Sequence, residues 1–261
     1  MIQIVHPAQV LLTNLDGFYV QLKESDSRAD IVLNRPPLNI ITMEQREQLR
    51  VVFEALDADP RVRVIVLRSL GEHFSSGGDC SGLANASAEQ MSRLAWNVSA
   101  PTRCGKPVIA ANRGYCFGVG FELSLACDFR IATETTIYAL SEQRQGQLPG
   151  SGGAARLQKM VGIGRTKDIV MRSRQIPGPQ AYDWGVVSEF VLDSDLESAT
   201  EVMVRELLAF SSSVQRAAKW LLNDIENTSL SIGIELEGNV TGRLHNLADH
   251  QDGPEATDKK E

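Results

Sequence analysis

The stretch of residues 106–153 constrains the fold of this chain more than any other. It begins with a strand-like apolar run at 108–111, and residues 121–127 read as a short apolar helix. A second strand-like run occupies 137–140, and strand, turn and helix alternate again around 62–67 and 186–192. Such alternation predicts an α/β core. The turn between the first strand and its helix is punctuated by three glycines, Gly114, Gly118 and Gly120.

The two ends of the chain differ in character. Residues 18–34 contain two strand-like pieces around a polar turn, which predicts an antiparallel hairpin. Thr42 and Gln45 have capping-box spacing ahead of an amphipathic helix expected at 43–57, and residues 87–104 have helical potential. Beyond Asp193 no strand-like run remains, and helices are expected at 196–210, 214–225 and 229–247. We therefore predict an α/β core over residues 1–195 and a helical region with a polar tail over residues 196–261.

The composition argues against several classes of function. The net charge is −7 over 261 residues, whereas a nucleic-acid partner would favour a basic face. No apolar run approaches the ~20 residues that span a bilayer, and the N-terminus does not read as a secretory signal. The four cysteines lack C-x-x-C spacing, so we expect free thiols, no metal site and a cytoplasmic location.

Two carboxylates accompany the glycine-rich turn. Glu122 falls in the first turn of the predicted helix, and Glu142 follows the next strand. A turn that aims backbone N–H groups at a ligand can stabilise an oxyanion, and two positioned carboxylates can move protons. This combination indicates chemistry on a carbonyl compound. Each residue also has a simpler interpretation, Glu122 as a partner of the helix dipole and Glu142 as a surface charge.

Five segments occur in the order typical of one known family, over roughly residues 15–250. They read LNRPPLNIIT, VRVIVLRSLGEHFSSGGD, KPVIAANRGYCFGVGFELSLACDFRIA, SEQRQGQLPGSGGAARLQKMVG and AYDWGVVSEFV. On these segments the chain resembles the enoyl-CoA hydratase/isomerase (crotonase) superfamily. The resemblance implies a crotonase-like spiral of ββα units with the active site, and a helical C-terminal region that joins subunits into trimers or hexamers. It also implies an acyl-CoA substrate in fatty acid metabolism, with coenzyme A as part of the substrate and no separate cofactor.

The same resemblance implies roles for four residues. The family's hydratases use a glutamate at the positions of Glu122 and Glu142 to hold one water and add it across the α,β double bond of an enoyl thioester. The backbone N–H groups at Gly78 and Val119 are expected to bind the thioester oxygen as an oxyanion hole. Val119 stands where the family commonly has glycine; a backbone donor needs no particular side chain, but the β-branch restricts the turn.

Coenzyme A is expected to lie between two segments of the chain. Arg35 and Lys106 are the two candidates for a basic side chain near its phosphates, the residues alone leave that choice open, and each also has a simpler interpretation as a solvated charge. Asp79 is expected to hold its own turn through hydrogen bonds rather than to take part in catalysis. The residues that the resemblance places along the ligand are Leu38, Asn39, Ile40, Gly77, Asp79 and Gly118.

Retention of both glutamates makes hydration the leading hypothesis. A hydratase-lyase of the hydroxycinnamoyl-CoA type is an alternative because GYCFG and the pair Ser141 and Glu142 resemble that subgroup. An isomerase needs mainly the acid at Glu142, and a non-catalytic CoA-binding homologue is the alternative of another class. The polar run QRQGQ at 143–147 departs from the family's apolar pattern. It indicates either a polar or charged acyl group or an altered subunit surface.

Overall fold

A computed structural model describes residues 14–23, 25, 27–79, 81 and 87–245 of the chain. Cys80 and the predicted polar tail lie outside these residues. The strands are β1 (Phe18–Lys23), β2 (Arg28–Leu33), β3 (Val64–Ser69), β4 (Val108–Ala111), β5 (Tyr115–Phe117), β6 (Phe129–Thr133), β7 (Ile137–Ala139), β8 (Ile176–Pro177) and β9 (Glu189–Val191). The helices are α1 (Met43–Ala58), α2 (Ala88–Val98), α3 (Ala100–Arg103), α4 (Val119–Ala126), α5 (Gly153–Met171), α6 (Gly178–Asp183), α7 (Leu196–Leu208), α8 (Ser212–Ile225) and α9 (Leu230–Leu244).

The strands form one large and one small sheet. The large sheet has the order β1-β2-β3-β4-β6-β9, and the small sheet has the order β5-β7-β8. Strands β1 and β2 pair antiparallel, as the predicted hairpin requires, and the remaining pairs of the large sheet are parallel. In β4-β5-α4 and β6-β7-α5, the first strand joins the large sheet and the second joins the small one. The predicted α/β class and its ββα units are thereby confirmed.

Helix α1 begins at the predicted cap. The Thr42 side chain accepts a hydrogen bond from the backbone N–H of Gln45 at 3.0 Å. The Gln45 side chain donates to the carbonyl of Gly17 at 3.3 Å. In a full capping box that side chain would turn back to the N-terminus of its own helix. Gln45 therefore ties α1 to the chain segment that enters β1.

The helices after β9 pack on the large sheet and on the core. Met203 and Val204 of α7 are buried against Val66 and Ile131 of strands β3 and β6. The Lys219 ammonium of α8 donates to the carbonyls of residues 101 and 106 and to Asp128 at 2.7–2.9 Å. Several large apolar side chains of α8 and α9 remain exposed in the single chain, namely Trp220, Leu222, Leu230, Ile232 and Ile234. The proposed boundary between residues 195 and 196 stays a prediction.

Two local features differ from the sequence-based expectation. The predicted helix at 87–104 is two helices, because Ser99 leaves the helical path and Pro101 lies in the first turn of α3. Helix α5 was not predicted, and its glycines weaken the helical pattern. Gly162 within it has φ of 77° and ψ of 165°, which interrupts the helix with a kink. No helix among the described residues is both long and apolar enough to cross a membrane.

Candidate active site

Two loop segments come together where the site is expected. The backbone N–H of Ile41 donates to the carbonyl of Gly77 at 2.9 Å, and that of Asp79 donates to the carbonyl of Ile41 at 3.0 Å. The segment around residues 38–41 thus pairs with the segment around 76–79 in the manner of parallel strands. Since neighbouring amides of an extended segment point to opposite edges, the N–H of Gly78 faces away from Ile41. The Gly78 backbone lies close to Val119 at the start of α4.

The turn between β5 and α4 needs glycine at two positions. Gly118 has φ of 49° and ψ of −126°, a backbone conformation that side chains disfavour. A Cβ atom at Gly118 would also lie 3.1 Å from Oε1 of Glu142. At Gly120 a Cβ atom would lie 2.6 Å from the Ser75 side chain. The two glycines allow the turn to approach both the 75–79 loop and Glu142 closely.

Gly78 and Val119, the expected oxyanion donors, are close together. Val119 is the first residue of α4, so its N–H has no carbonyl partner within the helix and points out of the helix N-terminus. The side chain of Val119 lies 3.2 Å from the point where a Cβ atom of Gly78 would stand. The β-branch therefore occupies space beside the Gly78 backbone. The valine at this position narrows the site without removing a backbone donor.

Glu122 is a buried carboxylate held by the start of α5. Its Oε1 atom accepts hydrogen bonds from the backbone N–H groups of Ser151 at 2.8 Å and Gly153 at 3.1 Å. The Arg156 guanidinium donates to the Ser151 carbonyl at 3.1 Å and to the Ser99 hydroxyl at 2.7 Å. Its positive charge also interacts with Glu122. These contacts fix one oxygen of Glu122 and orient the carboxylate.

Glu142 has a different environment at the start of a short 3-10 helix, Glu142–Gln145. Burial raises the pKa of this carboxyl to about 7, and the nearby Glu122 charge adds to the rise while the Arg46 charge opposes it. Its Oε2 atom is buried and accepts no hydrogen bond from the part of the chain that the structure describes. The Glu142 carboxyl is therefore present in both its protonated and its ionised form near neutral pH, and one of its oxygens is available to a ligand.

The residues expected along coenzyme A divide into two groups. Ile40 and Asp79 line a surface groove of about 550 Å³ together with the expected oxyanion donor Gly78 and with Arg35, Thr42 and Gln145. Asn39 is buried instead, and its side chain donates to the carbonyls of Leu70 at 2.9 Å and His73 at 2.7 Å. Asn39 therefore shapes the loop rather than contacting a ligand through its side chain. Leu38 contributes its carbonyl to the N–H of Ser76 at 2.8 Å.

The two basic residues considered for the phosphates of coenzyme A have different environments. The Lys106 ammonium donates to the carbonyls of Leu56 and Asp59 at 2.5 Å each, at the C-terminal end of α1. Arg35 lies at the groove and pairs with Asp16 at 2.5 Å. Lys106 thus caps a helix, and the expectation that it approaches a ligand phosphate is not supported. Arg35 is the better placed of the two.

The remaining sequence-based expectations concern the rim of the site. The Asp79 carboxylate accepts a hydrogen bond from the N–H of Ser81 at 2.8 Å, consistent with its expected turn-holding role. Gln143, Arg144 and Gln145 of the polar run are exposed, and Gln145 lines the groove. The run therefore meets solvent at the rim and does not enter the buried part of the site.

Sequence reasoning did not single out Arg46, Ser151, Gly153 or Arg156 as parts of the site. The last three lie after Glu142 in the segment SGGAAR. The sequence did not show that this segment folds back to contact Glu122. Three of the four cysteines, Cys104, Cys116 and Cys127, are described as buried free thiols. No cluster of three His, Cys, Asp or Glu side chains suited to a metal ion occurs among the described residues.

Comparisons with known proteins identify the family of the chain. The sequence profile of the family described as enoyl-CoA hydratase/isomerase matches residues 23–261. A carnitinyl-CoA dehydratase of Salmonella arizonae is 33% identical over 210 residues, which cover 79% of each protein. The crystal structure of an enoyl-CoA hydratase from Bacillus anthracis matches with a TM-score of 0.86 and 27% identity, covering 94% of this chain and 97% of that chain. A Thermobifida fusca protein solved in complex with CoA matches with a TM-score of 0.81 and 25% identity, covering 92% of this chain and 96% of that chain. The chain therefore belongs to the enoyl-CoA hydratase/isomerase family and has its crotonase-like fold.

Proposed function

We propose that the protein is an enoyl-CoA hydratase that adds water across the α,β double bond of an acyl-CoA thioester. The observation that carries the proposal is the unequal pair of carboxyl groups. Glu122 has one oxygen fixed by two backbone N–H donors, whereas Glu142 has a pKa of about 7 and a buried oxygen without a described partner. Two carboxyl groups whose surroundings differ in this way are typical of an acid and a base acting together.

The two groups then have complementary roles. Glu122 accepts a proton from water while the water oxygen forms a bond to Cβ of the enoyl group. The π electrons move towards the thioester, and the N–H groups of Gly78 and Val119 stabilise the resulting enolate oxygen. Protonated Glu142 gives its proton to Cα and completes the 3-hydroxyacyl product. Proton exchange between the two carboxyl groups and solvent restores the starting state.

The coenzyme A portion is proposed to lie in the groove lined by Ile40, Gly78 and Asp79, with Arg35 near its phosphates. The structural relative from Thermobifida fusca was solved in complex with CoA, which supports a ligand of this class. Gly78, one of the two proposed oxyanion donors, lines the same groove. The thioester is therefore proposed to lie at the end of the groove beside Gly78.

We also propose a homotrimer, or a hexamer made of two trimers, in a cytoplasmic enzyme. The exposed apolar side chains of α8 and α9 support subunit contacts through this region. Trp220 is 65% exposed and Leu230 is 81% exposed in the single chain. Burial of such side chains is the usual source of stability in permanent oligomers. Sedimentation of the purified protein measures the number of subunits.

Hydration is tested with glutamine variants that keep the shape of each side chain. Wild type, Glu122→Gln and Glu142→Gln are compared for water addition to crotonyl-CoA, followed by loss of the enoyl thioester absorbance. Each variant is expected to lose roughly 10²–10⁴ in kcat, the typical contribution of a general acid or base. Glu47→Gln, which changes an exposed glutamate of α1, is the matched control. Full activity in either site variant would contradict the two-carboxylate mechanism.

Product analysis separates the alternatives. A hydratase-lyase would release an aldehyde from the hydrated thioester, and an isomerase would convert 3-enoyl-CoA to 2-enoyl-CoA without needing Glu122. A non-catalytic homologue would bind acyl-CoA without turning it over. The similarity to a carnitinyl-CoA dehydratase favours adding polar acyl groups to the substrate panel, because that relative's name implies a polar acyl-CoA. Hydrated thioester as the sole product would support the proposal.

A further inference from the structure

The turn that begins α5 lies between a carboxylate and a guanidinium. Its backbone N–H groups at residues 151 and 153 bind one oxygen of Glu122. A Cβ atom at Gly153 would lie 2.7 Å from Cγ of Glu122. A Cβ atom at Gly152 would overlap the guanidinium of Arg156 on the other side of the turn. The position of the turn, and hence of the two amide donors, is therefore set jointly by Glu122 and Arg156.

The guanidinium of Arg156 is anchored through both of its terminal nitrogens. Nη1 donates to the Ser151 carbonyl at 3.1 Å, and Nη2 donates to the Ser99 hydroxyl at 2.7 Å. The Ser99 hydroxyl, at the junction of α2 and α3, in turn donates to the Ala95 carbonyl at 2.6 Å. Two fixed partners hold the planar group in one orientation. Arg156 therefore connects the junction of α2 and α3 with the turn that holds Glu122.

The charge of Arg156 is placed against the local electrostatics of α5. A helix N-terminus attracts anions and disfavours a cation, and the first turn of α5 has no acidic residue and no capping side chain. Burial lowers the pKa of the Arg156 guanidinium, and the charge of Glu122 opposes that effect. Glu122, which belongs to α4, thus supplies the negative charge for both the α5 amides and Arg156. Residues that break a local rule in this way are expected at functional sites.

We propose that Arg156 is a positioning residue for Glu122, the base of the proposed hydration, and that Ser99 anchors it for this purpose. With the turn held in place, Glu122 keeps one oxygen on the two amides and presents the other to the attacking water. The described lining of the groove proposed for coenzyme A does not include Arg156, so the residue acts through Glu122 and not on the substrate. The inference rests on the proposed function in assigning the role of base to Glu122.

The first test asks whether loss of Arg156 costs activity once Glu122 is no longer a base. Arg156→Ala is expected to lower kcat for crotonyl-CoA hydration roughly tenfold to a hundredfold, as for a misplaced catalytic group. KM should stay within about threefold, and in the Glu122→Gln background the same substitution should lower kcat by less than about threefold. Arg172→Ala, which removes an exposed arginine at the other end of α5, is the matched control. An additive loss in the double variant, or a loss carried by KM, overturns the inference.

The second test restores the missing cation. Arg156 borders a cavity of about 360 Å³ between α4, α5 and α8, which gives a small ion access to the space left by Arg156→Ala. Guanidinium chloride, far below the concentration that unfolds the protein, should restore part of kcat, and sodium chloride at equal concentration should not. Equal effects of the two salts would count against the role of the planar cation. Arg156→Lys keeps the charge and part of the donors, so its loss should be smaller, and it replaces Arg156→Ala in every arm if that variant does not fold.

Hydrogen exchange tests the positioning without turnover. The amides at residues 151 and 153 are protected by Glu122, so exchange in a peptide covering 148–157 should become about tenfold faster or more in Arg156→Ala. Arg172→Ala should leave this peptide unchanged. Unchanged exchange in Arg156→Ala overturns the inference even if hydration is slowed. Failure of the wild type to hydrate crotonyl-CoA would instead contradict the proposed function, and the exchange result would still report on the role of Arg156 in holding the turn.

Discussion

Raising the pH from about 7 to about 9 is expected to remove most of the hydratase activity by taking the proton from Glu142. Burial raises the pKa of this carboxyl to about 7, assisted by the Glu122 charge. The protonated fraction is then about one half at pH 7 and about one hundredth at pH 9. If Glu142 protonates Cα, kcat/KM should fall roughly fiftyfold over this interval.

The assay is kcat/KM for crotonyl-CoA hydration between about pH 5 and pH 10, which reports groups of the free enzyme. The control Glu47→Gln should follow the wild-type profile. Carbon-13 NMR of labelled glutamate carboxyls measures the same pKa without turnover. Replacing Glu122 by Gln should lower the pKa of Glu142, because it removes a repelling negative charge. Replacing Arg46 by Met should raise it, because it removes an attracting positive charge.

A profile that stays flat or rises between pH 7 and pH 9 would refute the role of Glu142 as the acid. A Glu142 pKa near its ordinary value in the NMR titration would refute the premise that burial holds it high. The same electrostatic argument requires the pKa of Glu142 to fall in Glu122→Gln and to rise in Arg46→Met. A shift of the same sign in Glu122→Gln and Arg46→Met would therefore contradict the geometry of the site.

Three other predictions follow from single contacts. Because its pKa is raised from 4.5 to about 7, ionised Glu142 destabilises the fold progressively as the pH rises between these values. Glu142→Gln should therefore raise the free energy of unfolding at pH 8 by about 1–2 kcal/mol, reduced for partial solvent exposure, and have little effect at pH 4, as measured by urea denaturation. Gly118→Ala should cost about 1–3 kcal/mol in the same assay and lower hydration, because φ of 49° with ψ of −126° strains any side chain and the added methyl group meets Glu142. Lys219→Met should cost about 1–3 kcal/mol by removing the 2.7 Å partner of the half-buried Asp128 carboxylate, which keeps its hydrogen bond from the Val108 N–H, whereas the double variant with Asp128→Asn should recover part of the loss, and an equal loss in both would contradict the pairing.

The elements with a strong local signal were predictable. The hairpin β1-β2, helix α1 and strand β4 each combine a clear apolar pattern with a turn or cap residue, so short-range chemistry determines them. Helix α5 was missed because glycines within it weaken the periodicity that marks a helix. Its importance lies in long-range contact, since the N–H groups at its start bind Glu122 from about thirty residues away.

The candidate site shows the same division. Glu122 was identifiable from its place in the first turn of a helix after a glycine turn, and Glu142 from its place after a strand. Their different environments were not identifiable, because burial, two amide donors and the charge of Arg46 come from segments distant in sequence. Lys106 appeared equivalent to Arg35 as a basic residue, and only the fold shows that it caps α1.

By itself, the sequence determined the α/β class and the glycine turn with its two nearby carboxylates, and the family resemblance added two backbone donors as an expectation. These features depend on residue type and on spacing along the chain. The tertiary structure alone decided that two amides hold one oxygen of Glu122, why the pKa of Glu142 is raised, and that a buried arginine of α1 abuts the Gly78 backbone. These features depend on distance through space and on exclusion of water, which arise only when α1, α4 and α5 pack around the paired loops.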